Sequence, residues 1–369
     1  MQVKEVINFL DQAEFIAFPK RHYKGNIDYI SPLDKDIEAV FDPKINKNFL
    51  QGEAIRWMVS KDQKTVGIIA AFYKSTNSEK QGGIGFFDCI NNQDVANKLF
   101  KIAAEWLKEK GCEYMDGPIN FGERDKYWGL LVSGFKNPSY QENFNYPYYQ
   151  ELFENAGFKK IFEQTTSEVN MQGIQLERVA KLAERVFNNP SYRFEHYKAK
   201  EMNKYATDFI EIYNKAWAQR PDFNAITLDR IESTLVSLNP IMIEEAICFV
   251  YANNEPAGFF VNVMDVNQIF KHMNGKMGIF EKVKFLYYKK FGKINRLRGI
   301  VFGVIPAYQN HGLETGLIMK VFESIRMHYP QYTAAELSWI GDFNPKMHRL
   351  FMAVGAKPTK IHFTYRFTF

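Results

Sequence analysis

Apolar residues along this chain recur with two periods, which predict helices and strands in mixed order. Within Asn203–Trp217, the residues Tyr205, Phe209 and Ile212 fall on one face of a helix because they are three or four positions apart. Short apolar runs bounded by Gly, Pro, Asn or Asp, such as Gly299–Ile305, predict strands. Strands and helices that alternate in this way predict the α+β class, with helices layered on a mixed sheet.

The predicted order of elements occurs twice. In the second half we expect strands over Tyr192–Tyr197, Ala246–Tyr251, Gly258–Val266, Gly299–Ile305, Thr333–Ile340 and Lys360–Phe369, and helices over Asn203–Trp217, Leu228–Leu238, Leu313–His328 and Pro345–Val354. In the first half we expect strands over Ala54–Ser60, Thr65–Tyr73, Gly83–Cys89, Tyr114–Pro118 and Lys160–Val169, and helices over Asp11–Tyr23, Asp34–Phe41, Val95–Lys110 and Pro147–Ala156. A repeated order of elements indicates a duplicated domain.

The join between the halves is predicted at an amphipathic helix that ends at Asn188-Asn189-Pro190. We therefore expect an N-terminal domain over residues 1–172, a linker helix over 173–190 and a C-terminal domain over 191–369. The best internal match, Leu152–Phe158 against Leu350–Ala356, ends a helix with glycine in each half.

Composition excludes several classes of protein. The N-terminus has no signal-peptide pattern, and no apolar run approaches the ~20 residues that span a bilayer. The three cysteines are far apart, and neither they nor the seven histidines have the spacing of a zinc site. The sequence therefore predicts free thiols, a cytoplasmic setting and no metal.

The most specific feature is a glycine-marked turn, Val304–Glu314, in the last fifth of the chain. The strand before it breaks at Pro306, and a helix begins after Gly312. The first amides of a helix have no intrahelical acceptor, and the helix dipole is positive at that end. The turn therefore predicts a site for phosphate oxygens.

With this turn, the order of elements resembles the GNAT acyltransferase superfamily. The family's phosphate turn, roughly Gln/Arg-x-x-Gly-x-Gly/Ala, is matched at Gln309 and Gly312. Its later pattern, roughly Asn-x-x-Ala-x-x-Leu-Tyr-x-x-x-Gly-Phe, is matched at Asn344, Leu350 and Gly355. The resemblance implies acetyl-CoA or another acyl-CoA as co-substrate. It places the coenzyme on Val304, Gln309, Asn310, His311, Gly312, Leu313 and Asn344.

The whole chain resembles a group of bacterial tandem GNAT-like proteins, through Trp106–Phe121, Gly129–Phe135 and Pro147-Tyr148-Tyr149. The resemblance implies two tandem domains, each a mixed, largely antiparallel sheet flanked by helices. The first half has no glycine at the corresponding turn, Ile90–Asp94, where Asp94 is interpreted as a helix cap. We therefore expect coenzyme binding in the second domain only.

Two residues depart from the family pattern. Glu314 stands at a small-residue position of the turn, where it faces either solvent or the pyrophosphate. Phe351 replaces the tyrosine whose hydroxyl protonates the leaving thiolate in many relatives. Together, the two departures leave a catalytically silent binding module as an alternative to an enzyme.

Acyl transfer to an amine needs a base, a donor to the carbonyl oxygen and a proton for the thiolate. The family's backbone donor corresponds to Gly303–Ile305. Glu336, in an apolar strand, is the first candidate base, and Glu123, in the insertion 120–145, is the second. For both carboxylates an alternative stays open, in which Glu336 lies on the solvent face of its strand and Glu123 lies in a packed surface loop. Tyr308, beside the turn, is a further catalytic candidate.

The basic charge is concentrated in one segment. Between Lys271 and Arg298, nine Lys and Arg stand against Glu281 alone, a local charge of +8 in a chain of net charge +5. This argues against nucleic acid and for one local anionic partner. Three interpretations stay open: a surface helix on its own core, a peripheral contact with anionic lipid, and a contact with the coenzyme's nucleotide phosphate.

We expect an acyl-CoA dependent N-acyltransferase acting on a small-molecule amine. The silent binding module is one alternative. A membrane-peripheral protein that handles a lipid-like acceptor through Lys271–Arg298 is the other.

Overall fold

The computed structural model describes residues 1–75, 79–122, 124–172, 175–218 and 225–369. The first half contains strands β1 (Gln2–Glu5), β2 (Gly52–Lys61), β3 (Lys64–Ser75), β4 (Lys80–Cys89), β5 (Tyr114–Gly117), β6 (Leu130–Ser133) and β7 (Lys159–Asn170). Its helices are α1 (Phe9–His22), α2 (Asp34–Val40), α3 (Gln93–Glu109) and α4 (Tyr149–Asn155). Helix α5 (Gln175–Phe187) leads to the second half.

The second half contains strands β8 (Tyr192–His196), β9 (Met242–Ala252), β10 (Glu255–Met264), β11 (Arg296–Val304), β12 (Ala334–Gly341) and β13 (Lys357–Thr368). Its helices are α6 (Met202–Trp217), α7 (Leu228–Leu238), α8 (Asn267–Phe270), α9 (Ile279–Phe291), α10 (Leu313–His328) and α11 (Pro345–Ala353). The α+β class is confirmed, and each half has the predicted order of hairpin, strand, helix and strand. Strands β1 and β6 have no counterpart in the sequence-based prediction.

The last strand of each half pairs with the other half. Strand β13 lies antiparallel between β5 and β7, and β7 lies antiparallel between β13 and β12. The described strands therefore form one continuous sheet, in which β6 adds to β13 off the main path. The predicted boundaries at residues 172 and 191 divide the chain but not the sheet. Strand β13 of the second half pairs with β5 of the first half, and β7 of the first half pairs with β12 of the second.

Helix ends follow local side-chain chemistry. Helix α3 begins after Asn92, whose side chain accepts a hydrogen bond from the Val95 amide (3.0 Å), so Asn92 and not Asp94 is the cap. The amphipathic face of α3 buries Leu99, Ala103 and Leu107 against the sheet of the first half. Helix α10 packs its apolar side chains against the sheet of the second half in the same way.

The cores of the two halves lie on the same sheet. Helices α5 and α10 cover the second half with apolar side chains that include Val186, Leu317, Phe322 and Ile325. Helix α6 covers the opposite face of β9, β10 and β11 with an aromatic layer. Within the described residues, no helix is both long enough and apolar enough to cross a bilayer.

Candidate functional site

The turn after β11 has the backbone geometry of an anion cradle. Residues 306–308 form one turn of 3-10 helix, and α10 begins at Leu313. Asn310 and Gly312 have φ angles of 67° and 85°, in the left-handed region that Gly and Asn adopt most readily. The side chain of Gln309 folds back, and its Nε2 donates to the carbonyl oxygen of Val304 (3.1 Å), which holds the turn in shape.

The backbone amides at the end of this turn, residues 310–314, have no acceptor in the part of the chain that the structure describes. Among the described residues, no carbonyl or side-chain oxygen is within hydrogen-bond range of the N–H groups of residues 310–314, and the first helical bond of α10 runs from Gly316 to Gly312 (3.0 Å). Asn310 and His311 are exposed, whereas the side chain of Leu313 is fully buried, so that Leu313 offers a ligand its amide alone. Half-buried Glu314 makes no ion pair within the described residues.

Strands β11 and β12 part beside this turn. They pair in parallel from Arg296 opposite Ala334 to Arg298 opposite Glu336, and their pairing then stops. At the point of divergence the hydroxyl of Ser338 lies 2.8 Å from the carbonyl oxygen of Gly299 and 2.9 Å from that of Ile300. The side chain thus takes the place of ladder hydrogen bonds. We call the place beyond it, where residues 300–304 of β11 and 339–341 of β12 are no longer paired with each other, the opening.

One strand amide is directed into the opening. The amide of Ile305 is already used, because it donates to Ala257 on β10 (2.9 Å). Amides alternate between the two edges of a strand, so the Val304 N–H is directed away from β10 and toward the side where β12 has diverged. Of the range Gly303–Ile305 that the sequence predicted for a backbone donor, Val304 has the required direction.

Aromatic side chains of α6 wall the face of β11 next to the opening. The ring of Trp217 is parallel to that of Phe259, with an interplanar angle of 8°, and stacks on Tyr213 with centroids 4.6 Å apart. A Cβ at Gly303 would lie 2.6 Å from the Trp217 ring, so the close approach depends on glycine. The sequence placed Trp217 at a helix end but gave no sign of this contact.

The predicted base Glu336 lies in a buried ion cluster. Its carboxylate is 3.0 Å from Lys360 Nζ, 3.2 Å from Arg298 and 3.3 Å from Arg296, and it accepts a hydrogen bond from Ser139. Burial alone would raise the pKa of Glu336, but the three cations outweigh burial and lower it to about 2. A carboxylate held in this way is a poor proton acceptor at neutral pH, so its environment disfavours the predicted role as a base.

The same cluster joins the two halves. Lys360 on β13 also pairs with Glu142 of the insertion (2.5 Å), and Arg296 pairs with Asp265 at the end of β10 (2.7 Å). Nearby, the buried Nε1 of Trp128 and Nδ1 of His362 have no hydrogen-bond partner among the described residues. Buried polar atoms of this kind need a water or a ligand atom.

The other predicted residues have different surroundings. Tyr308 packs between the core under α10 and the aromatic layer of α6. His311 approaches the Tyr192 hydroxyl with Nδ1 (3.1 Å). Asn344 caps α11 through its side-chain oxygen and the Met347 amide (3.3 Å), so its structural role is in place without a ligand. Phe351 is buried in the core. Glu123 lies outside the described residues.

In the first half, the corresponding opening is filled by the chain itself. Strands β4 and β5 pair at Gly82–Met115 and Gly83–Asp116, after which the Ile119 amide donates to the carbonyl oxygen of Ile84 (2.8 Å). A Cβ at Gly85 would lie 2.0 Å from the Ile119 carbonyl oxygen. This packing brings the two strands into backbone contact at the position that corresponds to the opening.

The first half has a small, partly open cavity. It measures about 80 Å³ and is lined by residues that include Tyr23, Asp88 and Phe144. Asp88 accepts hydrogen bonds from the hydroxyls of Tyr23 (2.5 Å) and Tyr149 (3.1 Å). Burial raises the pKa of Asp88 to about 7, although the two tyrosines oppose this.

Known proteins similar in sequence cover nearly the whole chain. No family model matches it. Protein YghO of Escherichia coli is 24% identical over 98% of this chain and 94% of its own length. The bacterial ceramide synthase of Caulobacter vibrioides is 24% identical over 95% of this chain and 93% of its own length.

Solved structures show the fold. A tandem GNAT protein from the clavulanic acid biosynthesis pathway superposes with a TM-score of 0.56 at 12% identity, over 100% of this chain and 98% of that one. A GCN5-related glucosamine N-acetyltransferase region of a fungal multi-domain β-N-acetylglucosaminidase superposes with a TM-score of 0.58 at 12% identity, over 99% of this chain and 38% of that one. Both neighbours have GNAT domains.

Proposed function

We propose that this chain, whose fold is that of tandem GNAT proteins, transfers an acyl group from acyl-coenzyme A to the nitrogen of an amine. The observation that carries the proposal is the row of unpartnered amides at residues 310–314, next to the point where β11 and β12 part. In the proposed complex the amides and the positive end of α10 hold the coenzyme's diphosphate.

Two steps of the transfer have a group in the second half to support them. The amine nitrogen attacks the thioester carbonyl, an N–C bond forms, and the C–S bond breaks. The Val304 amide would donate to the carbonyl oxygen as negative charge develops there. The amine gives up a proton to solvent water, and the coenzyme thiolate takes one. Tyr308, beside the opening and the turn, is our candidate for the group that protonates the thiolate.

We extend the proposal to the acceptor class, a long-chain amine. The printed name of the Caulobacter relative supports it, since a ceramide is the amide of a fatty acid with a long-chain amino alcohol. Half-buried Tyr213 and Trp217, backed by the fully buried ring of Phe259, supply apolar surface beside the reacting centre. Apolar surface suits an alkyl chain better than a polar amino sugar.

Two measurements test the proposal. The melting temperature is followed during titration with free, acetyl- and long-chain acyl-coenzyme A, and a rise with each is expected because a ligand of the folded state stabilises it. Thiol release is then measured with sphinganine and with ethanolamine, which share an amino alcohol but differ in chain length. Faster release with sphinganine is expected. Binding without release from either amine would instead support the silent binding module.

A further inference from the structure

Helix α9 presents its apolar side chains to solvent. Ile279, Phe280, Val283, Leu286, Tyr287 and Phe291 are between 58% and 81% exposed. Four of them, Ile279, Val283, Tyr287 and Phe291, are spaced four residues apart and so lie on one side of the helix, because each step turns by only about 40°. A folded protein rarely leaves such a continuous apolar stripe in water unless it contacts something else.

The opposite side of α9 is fixed on the protein. Phe285 packs toward Phe270, with ring centroids 6.2 Å apart, and Tyr288 stacks on His272 at 4.0 Å. Lys289 donates to the carbonyl oxygen of Pro240 (2.6 Å), and Glu281 caps the helix through the Gly278 amide (3.1 Å). The outward orientation of the apolar stripe is therefore built into the fold.

Lysines surround the stripe. The segment between Lys271 and Arg298 has one acid, Glu281, and its net charge without the two arginines is +6. Its exposed basic residues are Lys271, Lys276, Lys282, Lys284, Lys289, Lys290 and Lys293. Arg296 and Arg298, which the sequence counted with this segment, belong to the buried ion cluster and take no part. An exposed apolar stripe flanked by lysines is typical of a helix that lies in a membrane interface.

We propose that α9 docks this protein on the surface of an anionic lipid bilayer. The apolar stripe enters the boundary between headgroups and acyl chains, and the lysines contact lipid phosphates. The positive charge beside the stripe favours an anionic bilayer over a second copy of the chain as the binding partner. In a two-fold dimer the same patch faces itself, so lysines would meet lysines, whereas anionic headgroups neutralise them. The proposal stands whether or not the acyl-transfer proposal is correct.

Vesicle flotation tests the docking. The intact protein is mixed with vesicles of phosphatidylcholine alone or with added phosphatidylglycerol. We expect it to float with the anionic vesicles only, and less as salt is raised, because exposed charges are screened. The variant Lys282→Glu/Lys284→Glu/Lys290→Glu should lose binding by more than tenfold. The control Lys61→Glu/Lys64→Glu, at the β2–β3 hairpin, reverses two charges on another surface and should float like the unchanged protein.

The apolar stripe is tested with an environment-sensitive dye. All three native cysteines are buried, so an introduced surface cysteine is the preferred site of labelling. Phe280→Cys and Phe9→Cys replace residues that are 81% and 76% exposed, in opposite halves of the chain. The dye at position 280 should shift to the blue on anionic vesicles, and the dye at position 9 should not.

Three results would overturn the proposal. They are equal flotation of the unchanged protein and the triple lysine variant, equal dye shifts at the two positions, and self-association without vesicle binding that is abolished by Phe280→Ser. The last would assign the stripe to a second copy. Unchanged melting temperatures of the variants show that each is folded, which is expected because the substituted side chains are exposed.

Discussion

The indole ring of Trp217 lies directly against the backbone of Gly303, so that a Cβ at this position would be 2.6 Å from the ring. Gly303 is one residue before Val304, whose amide is directed into the opening between β11 and β12. The contact therefore sets the width of the apolar wall next to the proposed reacting centre.

Gly303→Ala should alter acceptor use more than coenzyme binding. The added methyl group displaces the Trp217 ring, and we expect an increase in KM for a long-chain amine of about tenfold, which corresponds to about 1.4 kcal/mol, while the coenzyme affinity stays unchanged. Steady-state thiol release checks this. The matched control is Gly299→Ala on the same strand, where a Cβ would meet its nearest neighbours at ordinary contact distances of 3.4 Å. Equal effects of the two variants would contradict a specific role for the wall.

Gly312→Ala should weaken coenzyme binding. Its φ of 85° costs a residue with a Cβ about 1–2 kcal/mol, and the Cβ would lie 2.9 Å from Val186 Cγ2. The turn must shift, so we expect at least tenfold weaker binding of coenzyme A by calorimetry. Gly157→Ala, with a φ of 93° at the end of α4, bears a similar backbone cost far from the turn. If both variants bound coenzyme A equally well, the assignment of the phosphate site to this turn would be wrong.

The sequence predicted the elements that local rules determine. The left-handed Gly312, the break at Pro306 and the apolar periodicity of α10 are all encoded within a few residues, so the turn could be located before the structure was known. The same holds for the end of α4 at Gly157.

Non-local pairing could not be predicted in this way. An alternating strand such as β13 carries no mark of its partners, so its insertion between β5 and β7 was not foreseen. For the same reason, Glu336 in an apolar strand suggested a base of raised pKa. The cation at Lys360 and the hydroxyl of Ser139, which hold it ionised, come from distant segments.

Tyr308→Phe tests the proposed proton donor. The substitution removes one hydroxyl and keeps the ring that packs against both cores. If Tyr308 protonates the thiolate, turnover should fall by about 10²-fold, with coenzyme binding unchanged. Stopped-flow thiol release measures the step directly. Tyr329→Phe, at the far end of α10, is the control and should retain turnover. Full activity of Tyr308→Phe would leave protonation to water or to another group.

Glu336→Gln should act on stability and not on the pH profile of turnover. Loss of the carboxylate leaves Lys360, Arg296 and Arg298 facing a neutral group, which should cost about 3–5 kcal/mol of unfolding free energy. Because the pKa of Glu336 is lowered in the folded state, its contribution is present above its ordinary pKa and lost as the pH falls toward 2.

Chemical denaturation measures this loss. The control is Glu168→Gln, whose side chain is 36% exposed and 3.6 Å from Arg296, and it should cost less than about 1 kcal/mol. The prediction would be wrong if Glu336→Gln lost little stability and the pH profile of its kcat shifted. That result would indicate that Glu336 is the base.

Asp88→Asn should change how stability depends on pH. Burial raises the pKa of Asp88 to about 7, so the folded state keeps the proton that the unfolded chain loses near pH 4. Asp88 therefore favours folding fully below pH 4, and this contribution is lost as the pH rises to about 7, by roughly 4 kcal/mol. The amide side chain of the variant keeps an acceptor for the Tyr23 and Tyr149 hydroxyls but does not titrate.

The informative quantity is the difference in unfolding free energy between the two proteins at each pH. Half-buried His22 near these tyrosines has a pKa lowered to about 4 by desolvation, so its contribution to stability is lost as the pH falls below about 6.5, but this contribution is present in both proteins and cancels. We expect the unfolding free energy of the variant to rise relative to that of the unchanged protein from pH 4 to 7. Above pH 7 the difference should stay constant. Parallel stability curves would mean that Asp88 is ionised in the folded state, which would require water or a cation in the cavity beside it.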